Sequence, residues 1–244
     1  MIKFSPDELN DVMKSLLLLF FSLPGYTHLF AQDSTLVTIK NGTDVGDVLS
    51  PAEIYYFPQF TKGQVFFRDG TKATGKLNYT RLFDQMLFID AKGDTLAVAN
   101  EKTIKFIAID RDTFYYDEGY IRIIADNDFV KLAEKQVWVV ADIQKKGTHN
   151  TNSTPGVTSV RTFREGNDVT RNVLTLNEDV VLRKETHYFF GDKYNDFARA
   201  SKKGLMQIFP KEQRRIEIYL KENKVDFSNK NDIEKLYQFL CQRP

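Results

Sequence analysis

The sequence predicts a mainly β fold: an antiparallel meander closing into a barrel or sandwich, followed by a small C-terminal α-helical segment. Three observations carry this. Between residues 63 and 144, short apolar runs recur roughly every ten residues, separated by Gly, Asp and Asn turn chemistry. Aromatic residues make up 13% of the chain, with 20 Phe and 11 Tyr, an excess suited to pleated, half-buried surfaces. After residue 195 the apolar spacing changes to a helical one.

In chain order, the run 16–23 is a short hydrocarbon stretch broken by Pro24 and Gly25, with Ala31 at a suitable cleavage point. That pattern reads as a secretory signal over residues 1–31. It is too short and too interrupted for a spanning helix, which takes about 20 apolar residues. The first twelve residues are acidic where a signal is normally basic, so Met13, followed by Lys14, is the better start. The expected address is therefore periplasmic or extracellular, with no transmembrane span once the signal is removed.

Residues 32–194 form the expected β domain. Val37 and Ile39 alternate with polar neighbours, and turns are expected at Asn41-Gly42 and Gly46-Asp47. Ser50-Pro51-Ala52-Glu53 has the capping-box pattern with proline in the first helical position. Strands are expected at 65–67, 73–79, 86–89, 95–99, 104–109, 114–116, 120–125, 129–132 and 137–143, and again at 173–176 and 180–190. An open sheet of that size would leave exposed edges, which is the reason to expect closure. Residues 145–172 read as a mobile polar loop.

Residues 195–244 form the expected helical segment. Asn195 or Asp196 is placed to cap a first helix to about residue 209, Pro210 opens a second over 211–223, and Ser228 or Asn229 caps a third. On the third, Ile233, Leu236, Tyr237 and Leu240 make an i, i+3, i+4, i+7 stripe. That stripe packs either on the β domain or on a partner protein.

Several short patterns together resemble uncharacterised exported β-rich proteins of Bacteroidetes-type bacteria. They are Phe60-Thr61-Lys62-Gly63, Asp69-Gly70-Thr71, Leu77-Asn78-Tyr79, Gly93-Asp94-Thr95-Leu96, Thr113-Phe114-Tyr115-Tyr116 and Asn223-Lys224-Val225-Asp226-Phe227. The resemblance spans most of residues 32–240. It implies an envelope or extracellular address and carries no activity.

Composition narrows the function. Apolar residues are 42% and charged residues 27%, enough for a sizeable core. The formal net charge is +1, and removal of residues 1–31 makes it +2, so nothing suggests nucleic acid as a partner. The single cysteine, Cys241, cannot form an internal disulfide.

No catalytic, metal or cofactor site is expected. The histidines are His28, His149 and His187, a set without zinc-site spacing. Asp110 with Asp112, and Asp126 with Asp128, read as turn formers. Gly-x-Ser-x-Gly and phosphate-loop patterns are both missing from the sequence. Ser153 and Ser159, near His149, lie in a polar loop without a rigid oxyanion site.

Three function classes remain. The first is a non-enzymatic scaffold or binding module for an envelope protein or glycan, with Tyr55, Tyr56, Phe114, Tyr115 and Tyr116 as candidate ligand-stacking rings. The second is a glycan- or peptidoglycan-acting hydrolase with paired carboxylates. The third is an assembly subunit docking through Ile233, Leu236, Tyr237 and Leu240. A basic cluster, Lys202, Lys203, Lys211, Arg214 and Arg215, reads as a solvated helical face because the sequence shows no apolar anchor beside it.

Overall fold

The computed structural model describes residues 35–144, 158–159 and 179–242. The signal sequence, the start at Met13, most of the loop 145–172 and the strand 173–176 lie outside the described residues.

Twelve strands form one antiparallel sheet: β1 (Leu36–Ile39), β2 (Thr61–Phe67), β3 (Lys72–Thr80), β4 (Gln85–Ile89), β5 (Thr95–Ala97), β6 (Ile104–Ile109), β7 (Asp112–Tyr116), β8 (Tyr120–Asp126), β9 (Val130–Gln144), β10 (Thr158–Ser159), β11 (Asp179–Asp192) and β12 (Phe197–Arg199). Their spatial order is β1-β11-β9-β8-β7-β6-β2-β3-β4-β5, with β10 added to β9 and β12 to β11. The helices are α1 (Val45–Val48), α2 (Pro51–Ile54), α3 (Lys202–Ile208), α4 (Gln213–Asn223) and α5 (Lys230–Cys241).

The path ends at β1 and β5 and does not close into a barrel as the spacing suggested. It curls instead until the turn after β3 meets β9, where the Trp138 N–H donates to the Arg81 carbonyl at 3.0 Å. Asp84, in that same turn, accepts from the Tyr79 hydroxyl at 3.0 Å, the Tyr120 N–H at 3.0 Å and Lys135 Nζ at 3.2 Å. One carboxylate thus ties the β3–β4 turn to β8 and β9.

Most of the expected strands appear within a residue or two. Three expectations are corrected. The runs 129–132 and 137–143 are one continuous 15-residue strand, β9. Its polar centre does not break it, because Glu134 and Lys135 are each paired with a charged neighbour on their own face. The first C-terminal helix does not begin at 195 or 196. Asp192 Oδ1 accepts from the Tyr194 and Asp196 N–H groups, and Asn195 takes φ 68°, so the chain turns back as β12. The helix starts only after Ser201, whose hydroxyl accepts from the Gly204 N–H. Residues 45–48 also wind into one helical turn capped by Asp44, rather than the expected Gly46-Asp47 turn.

Period-two alternation gives β9 two unlike faces. Val130, Leu132, Glu134, Gln136, Trp138 and Val140 share one face. Its two ends are apolar. At one end Val130 and Leu132 join Tyr188, Phe190, Leu205, Ile216 and the buried side of α5. At the other, Trp138 and Val140 pack with Val180, Leu182, Ile39, Val45, Leu49, Leu82 and Phe83. The Trp138 indole N–H donates to the Glu53 carbonyl at 3.1 Å, within the α2 turn that the Ser50–Glu53 capping box begins. A third cluster, including Val65, Tyr79, Met86, Ile107 and Phe114, fills the curl of β2 to β7.

Candidate functional site

Between the two apolar ends, the inward face of β9 is polar. Cross-strand register brings Arg122 of β8 and Tyr188 of β11 opposite Glu134, and Thr186 opposite Gln136. Arg122 donates from Nη1 to Asp112 at 2.9 Å and from Nη2 to Glu134, so one guanidinium neutralises two acids. Its Nε is buried and, among the described residues, has no hydrogen-bond partner. Arg81 donates from Nε to Gln136 at 3.2 Å and from Nη1 to the carbonyls of Ala52 and Tyr55.

Tyr56 lies between the two guanidinium groups, each with its carbon 5.0 Å from the ring centroid. Burial is the largest influence on the Arg122 charge and opposes it. The bonds to Glu134 and Asp112 outweigh burial and hold the group above the ordinary arginine value. Arg81, to which no carboxylate among the described residues is bonded, is lowered by burial. Burial raises the Tyr56 phenol, opposed in part by the Arg122 charge.

This strip floors a cleft of about 1150 Å³. Arg122, Glu134, Gln136, Thr186 and Tyr188 form its base, and Tyr219 of α4 with Asn231, Glu234, Lys235 and Gln238 of α5 form its wall. The Tyr188 phenol is raised by burial and by the charges of Glu134 and Glu234. The wall is fixed to α4 by Arg215, which donates to the Phe239 carbonyl and lies 4.1 Å over the Phe239 ring. Tyr219 stacks on the same ring at 4.1 Å.

The residues singled out from sequence fall elsewhere. Ile233, Leu236, Tyr237 and Leu240 are all buried against the sheet, which removes them as a docking surface. The five candidate stacking rings do not make one platform. Phe114 is buried. Tyr56 packs on Phe57 at 4.8 Å and Phe114 at 5.8 Å, and Tyr55 on Phe60 at 6.1 Å. Tyr116 sits against Tyr120 at 5.2 Å, whereas Tyr115 faces the opposite side of the sheet, against Phe106 and Phe197. Of the five rings, Tyr56 is the one set against the polar strip, under Arg122 and Arg81; Tyr55 meets Arg81 through its backbone carbonyl.

Sequence reasoning missed Arg81, Arg122, Glu134, Gln136 and Thr186. A usable signal existed for one of them: Arg122 alternates with Tyr120, an inward aromatic, and so had to face inward itself.

Among the described residues, no group of three or more His, Cys, Asp or Glu side chains is placed to hold a metal ion. Nor, among them, is any helix long and apolar enough to cross a membrane. No protein-family model matches the chain, and neither a curated protein nor a solved structure is similar to it.

Proposed function

We propose that this chain is an exported envelope or secreted protein acting as a non-enzymatic binding module, with its ligand in the cleft between the polar strip and α5. The observation that carries the reading is the composition of that cleft. It is lined by amides, hydroxyls and phenols over a cation already neutralised by two acids, and its charged wall residues are themselves paired along the helix, Lys230 with Glu234 and Lys235 with Asp232. A neutral, hydroxyl-rich ligand such as a glycan fits that lining: it satisfies donors and acceptors without bringing a charge, and Tyr219 offers a ring edge beside it. The export address rests on the short apolar stretch before Ala31 and on the resemblance to exported β-rich proteins.

The paired-carboxylate hydrolase fits less well. Asp112 and Glu134 both spend an oxygen on Arg122, whose cation lies between them, where a scissile bond would have to sit.

The test is calorimetric titration of the purified protein with peptidoglycan fragments and envelope oligosaccharides, beside the Gln136→Leu and Thr186→Val variants. Saturable binding, weakened about tenfold or more by either substitution, is the expected result. Failure to bind every glycan, or turnover of any of them, overturns the reading. The address is tested by the native protein's amino end, which should lie close to Gln32.

A further inference from the structure

Five large apolar side chains are exposed among the described residues, and three of them fall on one side of the molecule: Phe129, Tyr194 and Ile218, at 38%, 70% and 50% exposure. They come from three separate elements. Phe129 tips the β8–β9 turn, Tyr194 tips the β11–β12 turn, and Ile218 stands on the outer face of α4. Two hollows join them. One, of about 610 Å³, is lined by Phe129, Lys193, Tyr194, Phe209, Pro210 and Lys211. The other, of about 460 Å³, shares Lys211 and continues to Arg214 and Ile218.

The cations on this face are Lys193, Lys211, Arg214 and Lys221. On α4, Arg214, Ile218 and Lys221 fall at i, i+4 and i+7, one exposed stripe. None of the four cations has a carboxylate within ion-pair distance among the described residues. Of the acids nearby, Asp192 is engaged by the amides of its own turn and Glu212 by Arg215; Glu222 and Asp128, the residue before Phe129, have no ion pair among the described residues, so four free cations face two free acids. Lys193 lies 4.8 Å over the Tyr194 ring, so cation and ring form one amphipathic tip. Apolar anchors therefore stand beside the basic helical face after all. They are supplied by turns far away in sequence.

We propose that this face rests on an anionic phospholipid surface, with Phe129 and Tyr194 entering the headgroup region and Lys193, Lys211, Arg214 and Lys221 facing acidic headgroups. Aromatic rings at loop tips flanked by unpaired cations match the chemistry of a bilayer interface. The unpaired positive charge selects an acidic surface over a neutral one. The reading does not depend on what the cleft binds.

The experiment is vesicle co-sedimentation of the full chain, with phosphatidylcholine vesicles and with phosphatidylcholine–phosphatidylglycerol vesicles, at low and high salt. A Phe129→Trp variant gives a local reporter, since the native tryptophan, Trp138, is buried. Expected are binding to acidic vesicles that high salt releases and a blue shift of the reporter that brominated lipid tails quench. Lys211→Glu with Arg214→Glu should lower partitioning at least about 25-fold, taking about fivefold for each cation removed. Tyr194→Ser should lower it several-fold without abolishing the preference for acidic lipid. The proposal is overturned if acidic vesicles leave the reporter unshifted. It is also overturned if neutral and acidic vesicles bind alike and the charge reversals change nothing, the pattern expected of the apolar stretch 16–23 alone.

Discussion

Replacing Asp84 by Asn should be costly for a single-atom change. The substitution keeps the shape of the side chain and the left-handed backbone, φ 49°, which Asn tolerates. It also keeps an oxygen for the Tyr79 hydroxyl and the Tyr120 N–H. It removes the charge facing Lys135, whose side chain is 10% exposed against 17% for Asp84. At their 3.2 Å separation the attraction is about 5 kcal/mol for an effective dielectric of about 20.

Lys135 would then keep the Glu118 carbonyl, at 2.9 Å, the Phe189 ring, 5.9 Å away, and the more distant charge of Asp117. Breaking one side of a buried pair costs about 3–5 kcal/mol, and the residual exposure places this case near the lower end, at about 3. Lys135→Met should cost less, about 1–2 kcal/mol, since the carboxylate retains two donors. The double variant should cost less than the sum of the two. By contrast Lys202→Ala, breaking the pair with Glu217 at 62% and 55% exposure, should cost under about 1 kcal/mol. Urea unfolding followed by Trp138 fluorescence measures all four, since the chain has one tryptophan. If Asp84→Asn costs no more than Lys202→Ala, the turn is not held to β9 by this ion pair, and the account of how the sheet curls is wrong.

Gly119→Ala should be destabilising by about 2 kcal/mol or more: φ is 122°, and a Cβ there would lie 2.0 Å from Asp84 Oδ2 and 2.3 Å from Lys135 Nζ. A melting temperature within error of the wild type would count against the packed geometry of that turn. Leu236→Ala should cost about 2–5 kcal/mol, because Leu236 is fully buried among Leu132, Phe190 and Ile216. If the stripe instead served a partner, the isolated protein would be unaffected. His187 should make stability fall on mild acidification. Burial first, then Arg199, lowers its pKa from 6.5, with Glu185 partly opposing. Between the two pKa values the unfolded chain binds more protons, so stability declines as pH drops below about 6.5. His187→Gln should flatten that slope in thermal melts, and an unchanged slope refutes the assignment.

The fold was legible where local chemistry decides it. Turn residues such as Asp69-Gly70 and Gly93 marked hairpins, with Gly70 at φ 89° and Gly93 at φ 92°. The α5 stripe was readable from spacing, and its cap to within one residue: of Ser228 and Asn229, it is Asn229 that accepts from the Asn231 and Asp232 N–H groups. β12 was not readable, because an Asx turn at Asp192 and a helix cap at Asn195 use the same residue types. The unity of β9 was hidden because Glu134, Lys135 and Gln136 resemble a loop until their partners are known. The candidate site was illegible for the same reason on a larger scale. Arg81 meets Gln136 across 55 positions and Arg122 meets Glu134 only through hairpin register. Polar residues that face inward look, in sequence, like polar residues that face water.

The polar strip is also what separates a requirement of folding from a requirement of function. The helices cover one end of the β9 face and the N-terminal segment the other. Arg122, Glu134 and Asp112 sit where neither reaches. A face under selection for stability alone would be apolar there, since exchanging a buried ion network for hydrophobic groups of similar size is often neutral or stabilising, by about 1–4 kcal/mol. The combined variant Arg122→Met, Glu134→Leu and Asp112→Asn should therefore fold with undiminished stability in the same urea assay. Arg122→Met alone, leaving two carboxylates without their cation, should lose about 3 kcal/mol or more. In glycan titrations the triple variant should bind at least about tenfold more weakly than the parent despite its stability. Unchanged glycan binding in a stable triple variant would make the strip a structural device and move the ligand elsewhere. A triple variant as unstable as Arg122→Met would show that the charges serve the fold.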